Sequence, residues 1–80
     1  MWTTEEIRNY KIKDEHDRAI FHAYAMLRDR ANYHRIEGHG MFNEENAMAS
    51  AYESACVILE YAMTDDWAGL NQFDYYGEEN

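Results

Sequence analysis

The sequence has no proline, one cysteine and four glycines among its 80 residues. Long helices therefore meet few residues that would break them. A single cysteine excludes an internal disulfide, and the chain has neither a signal-peptide core nor an apolar run of transmembrane length. These absences predict an all-α, cytoplasmic protein.

Sequence motifs for catalysis and for metal binding are also missing. There is no HExxH pattern, no Glu stands three residues before any His, and one Cys cannot make a zinc finger. No GxSxG turn occurs, and the Gly38-His39-Gly40 turn lacks the Lys and Ser/Thr of a phosphate loop. Cys56 lies in the most apolar segment, which predicts an inert, buried thiol with a raised pKa. We predict a protein without catalytic residues, cofactor or metal; a metal near His34 is the less favoured alternative.

Basic residues are missing from the second half of the chain. All seven Lys and Arg residues lie within residues 1–35, where six acids leave a balance of +1. Residues 36–80 contain ten acids and no base, a balance of −10. Such asymmetry favours a charged partner, and the acidic half is expected to attract cations and repel nucleic acid. We therefore predict a basic protein partner, with no direct contact to nucleic acid or membrane.

The apolar spacing predicts one helical domain over residues 1–80, a small bundle of three or four helices built on an antiparallel helical hairpin. Thr3 and Glu6 have capping-box spacing, which predicts a short first helix. Trp2, Ile7 and Tyr10 are expected to face inward. A bend is predicted at residues 11–13, and one continuous helix over residues 4–36 is the alternative.

The first long helix is predicted from Asp14 to about Glu37. Its inward stripe is formed by Ile20, Tyr24, Leu27, Ala31 and His34. Gly38 and Gly40 are expected to end this helix, because glycine adopts positive φ without steric cost. The short connection that follows makes the two long helices antiparallel neighbours.

The second long helix, residues 43–63, is apolar over most of its circumference. Asn43 is the expected N-cap, and Phe42 is expected to pack on Ala47 as a hydrophobic staple. Glu53 and Glu60 are seven residues apart and are predicted to form a narrow stripe opposite the core. A helix with so little charge needs cover on more than one side. The face predicted to meet the core consists of Met48, Ala51, Tyr52, Ala55, Ile58, Leu59 and Ala62.

A third, short helix is predicted after the second long one. Thr64, Asp65 and Asp66 provide its caps, and it extends through Leu70, with Trp67 and Leu70 buried. Aromatic residues alternate with acids in the tail and are expected to pack on the hairpin or to anchor a partner: Phe73, Tyr75 and Tyr76.

The acidic half is the feature that carries a functional hypothesis. Carboxylates on a rigid helical scaffold resemble the phosphate spacing of nucleic acid, and aromatic side chains among them supply contact area. The predicted partner-binding residues are Glu44, Glu45, Glu53, Glu60, Asp65 and Asp66 for charge, and Trp67, Phe73 and Tyr76 for contact. The chain would then act as a non-enzymatic inhibitor that occupies the nucleic-acid site of a basic protein.

In size, acidity and tyrosine-rich helical composition, the whole chain resembles small phage-encoded inhibitors of bacterial defence, of the anti-CRISPR type. No diagnostic motif carries the resemblance. It implies that the partner is a CRISPR-Cas effector, that the inhibitor covers its nucleic-acid site, and that it acts in the host cell cytoplasm.

Two other functions remain open. A homo-oligomeric bundle could hold a small nucleotide-type ligand between protomers, with phosphate contacts from Arg28, Arg30, Arg35 and His34. Alternatively, the chain is a structural or interaction protein whose acidic face only keeps it soluble.

Overall fold

The computed structural model describes residues 1–72, which form four α-helices and, within that range, no strand. They are α1 (Thr4–Asn9), α2 (Glu15–Gly38), α3 (Glu44–Met63) and α4 (Trp67–Asn71). The long helices α2 and α3 pack against each other as an antiparallel hairpin, and α4 packs on α3. The predicted all-α hairpin architecture is confirmed.

The N-terminal segment forms a separate short helix. Thr3 and Glu6 make the predicted capping box, with each side chain accepting the other's backbone N–H. Trp2, Ile7 and Tyr10 pack against the core, as predicted. The chain leaves helical geometry before residues 11–13, so the bend is confirmed and the continuous helix over residues 4–36 is wrong.

The start of α2 explains why the two helices do not merge. Asp14 has an extended backbone and caps α2 by accepting a hydrogen bond from the Asp17 N–H at 2.8 Å. Asp17 in turn accepts the Lys13 N–H at 2.9 Å. Two carboxylates therefore satisfy the backbone donors at this break.

The helix α2 ends where predicted, but the positive φ angle expected at Gly38 is found one residue later. Gly38 is still helical, and the left-handed conformation is taken by His39 (φ 51°) and Gly40 (φ 71°). Gly38 instead packs closely on α3, because a Cβ atom there would lie 2.6 Å from the Asn46 side chain.

The beginning of α3 matches its predicted cap but lacks the staple. The Asn43 side chain accepts the Asn46 N–H at 3.0 Å. Phe42 is fully exposed and makes no staple on Ala47. The Asn46 side chain occupies the turn instead, since it donates to the Gly38 and Met41 carbonyls.

The short helix α4 begins at the predicted cap, where Asp66 accepts the Gly69 N–H at 2.9 Å. Trp67 is 68% exposed, so its predicted burial is wrong, whereas Leu70 is half-buried. The reason is that α4 approaches α3 through Gly69, where a Cβ atom would lie 2.5 Å from the Tyr61 ring.

The core lies between α2, α3 and the N-terminal segment. Its buried cluster consists of Tyr24, Cys56 and Met63, and Trp2, Phe21 and Leu59 are among the side chains that pack on it. The predicted inward stripe of α2 is confirmed, since its five members are buried or half-buried. No helix within residues 1–72 has the length and apolar character needed to cross a membrane.

The predicted core face of α3 is wrong for most of its members. Met48, Ala51, Ile58 and Ala62 are exposed, whereas Tyr52, Ala55 and Leu59 are half-buried. The side of α3 that faces α2 carries the fully buried Ala49 and Cys56, and Met63 at its end. The helix is therefore rotated from the predicted orientation, which brings Glu53 and Glu60 to the inner side.

Candidate interaction surface

Glu60 lies inside the molecule, against α2 and the N-terminal segment. Its Oε2 accepts hydrogen bonds from the buried Tyr24 hydroxyl at 2.5 Å and from the Trp2 N–H at 2.8 Å. The Trp2 carbonyl accepts a hydrogen bond from Arg28 Nε at 3.3 Å, so the backbone of Trp2 contacts both Arg28 and Glu60. Burial, and next the hydrogen bond to Glu60, raise the pKa of Tyr24. Glu60 thus holds three segments of the chain together.

Glu53 and Glu45 also make contacts across the hairpin. Glu53 accepts hydrogen bonds from both Nε and Nη2 of Arg35, and Nη2 lies 2.5 Å from Glu53 Oε1. Glu45 Oε2 lies 2.6 Å from Nδ1 of the buried His34, whose ring stacks on that of Tyr52 with centroids 5.5 Å apart. Both carboxylates therefore help to fix α3 on α2 in addition to any role in binding.

The other predicted charged residues lie at the two ends of α3. Glu44 is exposed in its first turn, and Asp65 and Asp66 are exposed just beyond its last turn. Asp65 adopts φ 54°, and Asp66 caps α4. Trp67 is exposed next to them. Phe73 and Tyr76, the remaining predicted contact residues, lie outside the described residues, as does Tyr75.

Between these ends α3 presents an exposed surface without charge, which we call the outer face of α3. Its largest side chains, Met48 and Ile58, are 43% and 37% exposed. All its other residues are exposed except Ala55, which is half-buried. Most of this surface belongs to the predicted core face of α3. The sequence therefore identified an apolar face correctly but predicted that it packs on the core, whereas it is largely exposed. The outer face of α3 consists of Ala47, Met48, Ala51, Ser54, Ala55, Ile58 and Ala62.

Sequence reasoning missed the buried carboxylate of Asp17. Both of its oxygens lie 2.7 Å from the Tyr10 hydroxyl, which donates to them. Lys13 Nζ lies 3.6 Å from Asp17 and donates to the Met63 carbonyl at 2.9 Å. The Lys13 N–H, and next the Tyr10 hydroxyl, hold the pKa of Asp17 below its usual value. This network attaches the bend at residues 11–13 to the end of α3.

A small-molecule site receives little support from the described side chains. No group of three or more metal-ligating residues forms within residues 1–72. Cys56 is fully buried as predicted, and burial raises the pKa of its thiol. Three of the four candidate phosphate contacts already bind groups of the protein. Arg28 donates to the Trp2 carbonyl, Arg35 pairs with Glu53, and His34 pairs with Glu45.

An open groove of about 420 Å³ lies at the hairpin turn, lined in part by Met41, Phe42 and Ala47. Its cationic side chain, Arg35, donates to Asn46 and Ser50 as well as to Glu53. The guanidinium is therefore already engaged by protein acceptors.

The chain was compared with protein-family models, with curated proteins and with solved structures, and no match was found in any of the three.

Proposed function

We propose that this chain is a non-enzymatic acidic inhibitor that binds a basic nucleic-acid-binding protein and blocks its nucleic-acid site. The outer face of α3 is the observation that carries the proposal. Exposed apolar surface at the centre of a contact supplies affinity, and charge around it governs approach and partner choice. In a chain of net charge −9, that approach favours a basic protein.

The proposed contact differs from a row of carboxylates that imitates nucleic acid. Glu53 and Glu60 are bound within the hairpin, so the proposal assigns the charged contacts to Glu44, Asp65 and Asp66. The outer face of α3 lies between them, and Trp67 adds an exposed aromatic ring. This arrangement is compatible with the resemblance to phage-encoded inhibitors, in which an effector such as a Cas protein is covered at its nucleic-acid site.

The direct test is affinity capture from an extract of the native host, with three forms of the protein. Wild type is expected to capture a basic protein that binds nucleic acid, and to displace that nucleic acid when added in excess. Ile58→Glu places a charge on the outer face of α3 and should abolish capture. Ala23→Glu, which adds the same charge to an exposed position of α2, is the matched control and should capture normally.

Salt dependence provides a second measurement on the captured complex. Because charge steering acts mainly on association, the association rate should fall at least about tenfold between about 50 and about 500 mM salt. The proposal is wrong if the rate is unchanged, or if the captured protein binds nucleic acid equally well in the presence of the inhibitor.

A further inference from the structure

We infer that the group bound by the outer face of α3 is an amphipathic helix of the partner, with an apolar stripe at its centre and Lys or Arg at both ends. The inference rests on the proposed function, since it specifies the partner segment that the same surface receives. It follows from the shape of the face and from the charges at its ends.

The shape of the face fits a helix. From Ala47 to Ala62 it extends about 22 Å along α3, at 1.5 Å per residue. Most of its side chains are Ala or Ser, which allow two helix axes to approach at the short end of the usual range of about 8 to 10 Å. Small residues also lie in the existing contact between the long helices, where Ala49 of α3 and Ala31 of α2 are both fully buried. A third helix could therefore lie close against the outer face of α3.

The ends of the face determine the charge of that helix. Glu44 lies seven residues before Ala51, nearly two full turns, and so on the same side of α3. Asp65 follows the last turn, about 30 Å along the axis from Glu44. Both side chains are exposed, and neither takes part in an ion pair among the contacts of residues 1–72. Basic groups about 30 Å apart on a bound helix would meet them.

The same charges disfavour a second copy of this chain. Residues 36–72 contain seven acids and no base, so two α3 helices packed in either direction bring acid against acid at both ends. Lys13, a base close to Asp65, is held by the Met63 carbonyl and Asp17. Like charges brought together at an interface are unfavourable, whereas bases on a foreign helix are complementary.

Synthetic helical peptides of about 20 residues, the length of α3, test the inference. The basic-ended peptide has a central Ala/Leu stripe and two Lys at each end, and a matched peptide has Glu at those four positions. Fluorescence anisotropy at low salt should show at least about tenfold tighter binding of the basic-ended peptide. Ala51→Glu should weaken that binding at least about tenfold, and Ala23→Glu should not change it.

Variants at the ends of α3 separate charge from apolar contact. Glu44→Gln combined with Asp65→Asn removes two exposed charge pairs and should weaken binding of the basic-ended peptide about fivefold. The affinity for the acidic-ended peptide should not fall. Asn tolerates the left-handed backbone of residue 65, so this variant keeps the turn intact. Circular dichroism of each variant confirms that the helices are retained.

Three outcomes would overturn the inference. They are equal binding of the two peptides, no binding of either, and a wild-type dimer that becomes monomeric in Ile58→Glu by sedimentation. If wild type captures a host protein and Ile58→Glu does not, but neither peptide binds, then the inferred helical segment of the partner is wrong and the proposed function stands. If the basic-ended peptide binds but the host yields no nucleic-acid-binding protein, the proposed function is wrong and the surface assignment stands.

Discussion

The two sides of α3 depart from the usual chemistry of a surface helix, because two acids lie beside the buried Ala49 and Cys56 on one side and apolar side chains are exposed on the other. Its inner side carries Glu53 and Glu60, both bound to groups of α2 or the N-terminal segment. Its outer face carries Met48, Ile58 and a series of small residues, and it is largely exposed. A surface helix normally buries its apolar stripe and exposes its charges. Glu53 and Glu60 thus stabilise the hairpin beside its apolar core, and part of the apolar surface of α3 remains exposed.

The difference shows what orients a helix that is apolar on most sides. Apolar burial alone gives several orientations of similar energy, because nearly every side of α3 offers Ala, Val, Ile or Tyr. A carboxylate is restrictive, since a buried one needs matched donors. The Tyr24 hydroxyl and Trp2 N–H supply them for Glu60, whose side chain is 14% exposed, and the more exposed Glu53 pairs with Arg35. The inner side is therefore selected by hydrogen bonding.

The largest effect on stability is expected when a carboxylate is added to one side of α3 or to the other. Ala49→Glu places an unpaired charge at a fully buried position and should cost more than about 4 kcal/mol, close to the whole stability of a small domain. Ala51→Glu, two residues away on the outer face, should change the free energy of unfolding by less than about 0.5 kcal/mol. Urea unfolding followed by circular dichroism measures both. Equal costs would contradict the orientation of α3.

Local features of the fold could be predicted from the sequence. Thr3, Asp14, Asn43 and Asp66 were predicted at helix starts and all act as caps, because a cap depends on a side chain and a backbone N–H a few residues away. The stripe of α2 was also correct, since its charges leave only one apolar side. These features need no knowledge of distant parts of the chain.

The orientation of α3 depends on distant residues, and so does the candidate surface. Its apolar pattern is too broad to select one side, and the deciding donors lie in α2 and at Trp2. One signal was present in the sequence. Arg28 and Arg35 are seven residues apart, as are Glu53 and Glu60, so an antiparallel hairpin places Arg28 level with Glu60 when Arg35 meets Glu53. The burial of Trp67 was misjudged because Gly69, a residue without a side chain, makes the contact with α3.

Removing an inner acid should cost more than removing an end acid. Glu60→Ala leaves the buried Tyr24 hydroxyl without its acceptor, while the Trp2 N–H keeps the Tyr24 oxygen at 2.9 Å, and should destabilise the fold by about 1 to 3 kcal/mol. Glu44→Ala, its exposed counterpart in the first turn of α3, should cost about 0.5 kcal/mol or less. Thermal and urea unfolding of the two variants provide the comparison. A Glu60→Ala variant as stable as wild type would show that the inner acids are dispensable.

The ion pair between Arg35 and Glu53 should contribute less, because the two side chains are 41% and 35% exposed and water screens their charges. A double-mutant cycle with Arg35→Ala and Glu53→Ala isolates the coupling. We expect about 0.5 to 1 kcal/mol at low salt, falling as salt is added. A cycle between Arg30, which is exposed on α2, and Glu53 is the control and should give no coupling.

Asp17 extends the comparison to α2 and predicts the smallest effect, a stabilisation that is present near neutral pH and is lost in acid. Its folded pKa lies below its unfolded value near 3.8, so its stabilising contribution is complete above that value and is lost as the pH falls through the folded pKa. Asp17→Asn cannot titrate, so the stability difference between wild type and variant should be constant near neutral pH and shrink below about pH 4. Urea unfolding across this range measures it. A difference that grows towards acid would mean that the Lys13 N–H and the Tyr10 hydroxyl do not favour the ionised form of Asp17.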